Sequence, residues 1–167
     1  MNEIPTVRYP YPRSLDWAAL RFVDIPDSEE RSKVYLRRFI VLKTPVCGLY
    51  VHWIYTTDVN RHPHDHPMKF CSFVWLGGYV EAIYRLFKGV REYLGKRMHL
   101  EGSFHVMDHG TFHRITHLFR VPTVTVVAWW NPIPDWGYLR PDGRFRSAKR
   151  SDGRISERAT STTDHAR

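Results

Sequence analysis

Short runs rich in β-branched and aromatic residues, each cut off by glycine or proline, fill the middle of this chain. Residues 34–42, 49–56, 70–76 and 79–87 are runs of this kind, bounded by Thr44-Pro45, Cys47-Gly48 and Gly77-Gly78. Residues 91–94, 97–100 and 103–107 are shorter ones, separated by Gly95 and Gly102. Residues 113–120 and 123–130 read as a pair around Val121-Pro122, and 136–139 as a last strand before Pro141-Asp142-Gly143. Extended segments of this composition want a pleated, half-buried surface, and the glycines and prolines between them mark turns. No stretch shows sustained helical periodicity. A chain built this way can bury its apolar faces only as an all-β sandwich or barrel. Gly77-Gly78 predicts a hairpin between 70–76 and 79–87.

The two ends have a different texture. Residues 1–30 are Pro-rich and mixed, and are read as an irregular arm with a short helix around 16–21 and a helical turn starting at 28–30. The β domain is expected over 31–145. Residues 146–167 are read as a disordered basic tail. The chain has 167 residues, 43% hydrophobic, enough for one domain with a core. Its formal charge is +8. From Arg144 to Arg167 there are seven Lys/Arg against three Asp/Glu, so half of that excess lies in a segment with almost no apolar residues. A solvated tail follows; weak contact with nucleic acid through it is the alternative. No aromatic–basic sheet motif, phosphate-cradling glycine loop or nucleophile elbow is present. Cys47 and Cys71 show neither zinc spacing nor a disulfide framework, and are expected reduced and buried. The start lacks an apolar core of signal-peptide length and no apolar run is long enough to span a bilayer, so a cytoplasmic protein without membrane contact is expected.

Ten histidines punctuate the sequence, and three carry chemistry. His64 and His66 alternate, so in an extended segment both side chains leave the same face. His113 follows a tight turn: Gly102, five residues, Asp108, one residue, Gly110, two residues, His113. Imidazole is the commonest side-chain metal ligand near neutral pH. Two histidines from one strand and a third from a distant one can share an ion if the fold brings the strands side by side. Without thiolates a closed structural zinc site is disfavoured. With a carboxylate and open positions the set suits Fe(II); three histidines alone suit Zn, Fe, Ni or Mn. His62, His105, His109 and His117 show how often histidine occurs here without a motif around it.

On Gly102, Gly110 and His113, together with the pair His64 and His66 and the approximate closing glycine Gly77, the chain resembles the cupins over roughly residues 50–130. More narrowly, Asp58, Arg61, His64-Asp65-His66-Pro67, Phe70, Ser72, Gly77-Gly78-Tyr79 and Glu81 look like those of small bacterial and phage cupin-like proteins of uncharacterised reaction. The resemblance implies a double-stranded β-helix, or jelly-roll, barrel. It also implies a mononuclear divalent cation, Fe(II) before Zn, Ni or Mn, at His64, His66 and His113. Three departures stand out. Asp108 replaces the second motif's proline, and Asp58 stands where the first motif begins with glycine. The family's glutamate would fall at Lys69 or Phe70; Glu81 is the nearest glutamate, as a fourth ligand or general base if it faces inward, or as an arginine's partner if it does not. Asp65 and Asp108 could hold a ligand's second nitrogen, with turn capping preferred for Asp108, and His117 could line the barrel more deeply. Arg61, Arg114 and Lys69 are the candidates for gripping an anionic ligand. The expected function is a metal-dependent enzyme carrying out dioxygenase-type oxidation or isomerisation of a small polar substrate. A non-catalytic small-ligand binder and a basic accessory protein on nucleic acid are the rivals. The strand aromatics are expected in the core, around a ligand pocket, or in a homodimer face that would cover sheet edges.

Overall fold

The computed structural model describes residues 18–147, apart from 28–29, 31, 59–60 and 134–135. Among the described residues there are eleven strands and no helix: β1 (Ala18–Pro26), β2 (Val34–Lys43), β3 (Cys47–Ile54), β4 (Lys69–Leu76), β5 (Gly78–Phe87), β6 (Val90–Leu100), β7 (Phe104–Met107), β8 (Phe112–Leu118), β9 (Thr123–Trp130), β10 (Gly137–Leu139) and β11 (Phe145–Ser147). One sheet has the order β1-β2-β3-β9-β4-β7, a second β6-β5-β8, and β10 pairs with β11. His64 makes antiparallel bridges to both His113 and Tyr138, which ties β10–β11 to the edge of β8.

The antiparallel pairs are nested. β5 and β6 close a hairpin through Lys88 and Gly89, both at positive φ (48° and 76°), as a tight turn between twisted strands requires. Around it β4 pairs with β7, the His64 bridge with β8, and β3 with β9. Each step outward passes the chain between the two sheets. A ribbon folded back on itself in this way is a double-stranded β-helix, the jelly-roll barrel. β1 and β2 extend one sheet beyond it.

Side-chain parity explains where the core lies. On β5 Tyr79, Glu81 and Ile83 face the barrel interior. Ala82 and Tyr84 face the other way, where Phe112 and Leu139 cover them. Inside, one cluster joins Ile40, Tyr50, Phe70, Ile83, Met107, Val127 and Trp129, and another joins Tyr35, Leu36, Ile54, Val74, Tyr79 and Ile115. Both draw on the two facing sheets, so closing the barrel and burying the apolar residues are the same event.

Several expectations from the sequence are corrected. Residues 18–21 belong to strand β1, not to a helix. Val23 and Ile25 alternate with exposed Phe22 and Asp24, and Asp24 takes two hydrogen bonds from Arg37 of β2 at 2.7 and 2.9 Å. The described part of the expected irregular arm is therefore largely sheet; residues 1–17 and the helical turn at 28–30, except Glu30, lie outside the described residues. Gly77-Gly78 is a crossing between sheets and not a hairpin, because β4 lies between β9 and β7 while β5 lies between β6 and β8. The glycines are needed there: φ is +83° and +145°, and a Cβ on Gly78 would stand 2.6 Å from the His99 carbonyl oxygen. Strands β8 and β9 are not partners but sit in opposite sheets. β6 is one strand through Gly95, where Leu94 is an extra residue opposite Ile83 and Tyr84. Cys47 is exposed and Cys71 half-buried, both free. Of the expected basic tail, Arg146 and Ser147 belong to β11, and the rest, from residue 148 on, lies outside the described residues. No helix among the described residues is long and apolar enough to cross a membrane.

Candidate metal centre

His64 and His66 sit on the connection from β3 to β4, and backbone bonds hold that connection extended. His64 and His113 exchange both N–H···O bonds, at 3.0 and 2.9 Å. On either side, Leu139 donates to the Pro63 carbonyl and Asp65 donates to that of Gly137. Asp65 also accepts from the Gly137 N–H through its carboxylate, at 2.7 Å. Asp65 therefore locks the loop onto β10. The alternation expected from the sequence holds, and the rings of His64 and His66 are 5.2 Å apart. Each lies 4.9 Å from the ring of His113, which enters from β8 just after the Gly110 turn. His66 Nε2 and His113 Nε2 are 2.7 Å apart. One donor atom from each of the three falls within 4.8 Å of the others.

Glu81 lies behind this trio and is wholly buried. Its Oε2 is 2.6 Å from His113 Nδ1 and its Oε1 is 2.7 Å from His99 Nε2. Burial would push this carboxyl up, but the hydrogen bonds from His113 and His99 outweigh it and hold the carboxyl well below the usual range. Burial pulls the other way on His113, and Glu81 holds its imidazole above the ordinary value. With Nδ1–H directed at Glu81, Nε2 is the nitrogen that faces the other two histidines. Burial, with the charge of His113 beside it, holds His64 and His66 well below the ordinary imidazole value, so both present lone pairs. Asp58 is the second buried carboxylate of the centre. Its Oδ2 lies 3.8 Å from His64 Nδ1 and accepts from the Tyr35 hydroxyl at 3.5 Å. Burial raises Asp58 to about 6, against the pull of His113 and Arg61.

The sequence candidates divide cleanly. His64, His66, His113 and Glu81 come together, but Glu81 touches His113 and His99 rather than the open side of the trio. Arg61 borders the centre: it donates to the Pro26 carbonyl at 2.8 Å, its guanidinium lies 4.2 Å above the Tyr35 ring, and its charge acts on His64 and Asp58. Arg114 follows His113 on the strand and so takes the opposite face, 5.8 Å from the Tyr84 ring. Lys69 is turned to Asp108, at 3.0 Å, and Asp108 caps the turn by accepting from the His109 N–H. His117 is exposed against Phe119, because Val80 pairs with His117 and Glu81 with Ile115. The skipped residue, Thr116, is a bulge that reverses the parity His117 would share with His113.

Five participants were missed. Asp58 was read only as a departure from a motif. Arg38 and His52 are cross-strand neighbours on β2 and β3, joined by a 2.9 Å bond from Arg38 Nε to His52 Nε2, and both charges act on His66. His99, with Glu81 and His105, forms another compact group whose donor atoms fall within 4.8 Å of one another. Burial and the neighbouring His99 hold His105 down to about 4. Phe70 stands where the family's glutamate would be. Its ring meets His66 edge-on at 4.9 Å and His105 edge-on at 6.1 Å, between the two groups.

No family model matches the chain, and no curated protein is found similar to it. Solved structures similar to it include that of Fe(II)-HppE with the alternative substrate (S)-1-HPP, at 12% identity over 66% of this chain and 55% of that one, TM-score 0.47. Others are that of the DMSP lyases RdDddP and RnDddQII, at 16% over 70% and 57%, TM-score 0.45, and that of KdgF from Halomonas sp., at 18% over 70% and 88%, TM-score 0.41. The chain spans little more than half the length of the first of these. The fold is set by the nested strand pairing rather than by these likenesses.

Proposed function

We propose that the chain is a cupin-type metal-dependent enzyme that holds a divalent cation, Fe(II) first among the candidates, at His64, His66 and His113. The observation that carries this reading is the convergence of three imidazoles from two separated segments. Two of their nitrogens stand 2.7 Å apart, and a donor atom of the third lies within 4.8 Å of both. The donor set fits such an ion: two imidazoles held neutral by burial, a third whose Nδ1 is taken by Glu81 and whose Nε2 would give up its proton to an ion, no thiolate, and a buried carboxylate behind that third ring, as metal-bound histidines commonly have. A bound cation would supply a Lewis acid or redox centre with positions open to a small substrate.

The protein's own part is positioning. Glu81 fixes the ring and tautomer of His113, while Asp58 stands near His64 at 3.8 Å, beyond hydrogen-bond distance. Arg38, half-buried and stacked 4.8 Å above Tyr50, places a guanidinium near His66, where an anionic group of a small polar substrate could pair with it. Arg38 takes over the role first assigned to Arg114 and Lys69. The chemistry on that substrate, oxidation or isomerisation, is the expectation carried from the sequence.

Elemental analysis of the purified full chain tests this reading. His64→Ala should remove one equivalent of metal while circular dichroism keeps the β spectrum. Glu81→Gln should weaken metal affinity by roughly 10–100-fold, the usual cost of losing a carboxylate behind a ligand. Metal content unchanged in His64→Ala rejects the ligand assignment.

A further inference from the structure

Glu81 has two oxygens, and only one belongs to the centre just described. The other faces His99, and His99 stacks on His105 with ring centroids 4.0 Å apart. These three side chains come from three strands and both sheets. Glu81 is on β5, His99 on β6 opposite Tyr79, and His105 on β7 opposite Ser72. The β6–β7 turn that brings them together is clamped to β4: Gly102 donates to the Val74 carbonyl at 2.8 Å and Val74 donates to that of Ser103 at 3.0 Å. Glu81 and His99 are buried and His105 half-buried.

Hydrogen bonds alone leave this cluster incomplete. His105 Nε2 meets the Tyr79 hydroxyl at 3.2 Å, but His105 Nδ1 is buried with no hydrogen-bond partner among the described residues. A buried ring nitrogen without a partner, beside a buried anionic carboxylate and a second imidazole, is a site short of a cation. The donor atoms already stand within 4.8 Å of one another, from side chains that the barrel holds rigid.

We propose that Glu81, His99 and His105 form a second cation site, for a divalent transition metal of the zinc class, which takes imidazole and carboxylate together. The Glu81 carboxylate then joins the two sites, oriented toward His113 by one oxygen and toward the second ion by the other. The site goes beyond the proposed function and does not depend on it, since His99 and His105 take no part in the first centre.

Zinc(II) titration of the metal-stripped full chain, by calorimetry and elemental analysis, separates the two. Wild type should bind two equivalents, His105→Gln one, and His66→Ala one. A single equivalent that His66→Ala abolishes and His105→Gln leaves intact overturns the second site and leaves the first standing. A single equivalent lost in His105→Gln but kept in His66→Ala upholds the second site and overturns the first. Should His105→Gln fail to fold, the ring 15N resonances of His99 and His105 in wild type decide: they should shift with zinc, and resonances unmoved at saturation overturn the proposal.

Discussion

The two histidine groups inside the barrel are made by opposite means. His64 and His66 are neighbours by simple alternation in one extended loop, and a single backbone bridge brings His113 to them. Glu81, His99 and His105 share no local pattern; they meet because a hairpin, a crossing and a turn deliver three strands to one end of the barrel. The first group is local and leans on one tertiary contact. The second draws on three strands, and no two of its members share one. Yet they share Glu81 and are divided by Phe70, so a change in one is felt in the other to the extent that Glu81 transmits it.

Removing the link should have the largest effect. His113→Ala takes an imidazole from the first group and leaves Glu81, wholly buried, with one partner fewer. Stripping one partner from a buried ionic pair costs on the order of 3 kcal/mol or more. Urea unfolding of the metal-free variant should show this, whereas a loss below about 1 kcal/mol would mean that His99 alone satisfies the carboxylate.

Acid should act on both groups at an intermediate scale. In the metal-free protein His64, His66 and His105 all titrate below the ordinary value of 6.5, chiefly because they are buried. Above that pH they are neutral folded or unfolded and contribute nothing. As pH falls through it, the unfolded chain takes up protons that the folded one refuses, and stability drops. His113 opposes this: raised by Glu81, its contribution is complete below 6.5 and fades only as pH climbs through its folded value. His52, lowered by burial, adds to the loss, while Asp58, raised to about 6, joins His113 in opposing it because the fold takes up its proton first; four groups against two predict net destabilisation between pH 7 and 5, read as a falling urea midpoint. His105→Gln, which deletes the second group's share between 6.5 and about 4, should make that fall shallower.

The smallest effect belongs to the residues that the fold turned away. Lys69→Ala and Arg114→Ala should leave metal content unchanged. Lys69→Ala should shift stability by no more than about 0.5 kcal/mol, since its partner Asp108 is solvent-exposed. Metal loss in either variant would return these side chains to the site.

Why some of this was legible and some not follows from the same contrast. Strand positions are written locally, in β-branched runs and their glycine boundaries, so most strands were found to within a few residues. The His64/His66/His113 set was readable because its spacing obeys the two-residue period and a turn glycine. Pairing is not local: nothing near Gly77 says whether the chain doubles back or crosses to the other sheet, and that depends on β7 and β9. Parity fails wherever a bulge intervenes, as Thr116 does before His117. His99 and His105 flank Gly102 and could have been flagged as a pair across a turn, but their tie to Glu81 needed the β5–β6 register.

The nested pairing also sets an order of assembly. The β5–β6 hairpin closes over two residues and needs no other strand, whereas His66 and His113 are 47 positions apart. Loop-closure entropy falls as inner pairs form, so the barrel should zip outward from its tip. On that route the Glu81–His99 contact, within the hairpin itself, forms before the three-imidazole mouth. A chain in which β8 has not yet paired holds Glu81 against His99 but lacks the third imidazole of the first group, which makes the convergence of His64, His66 and His113 a late marker of a completed fold.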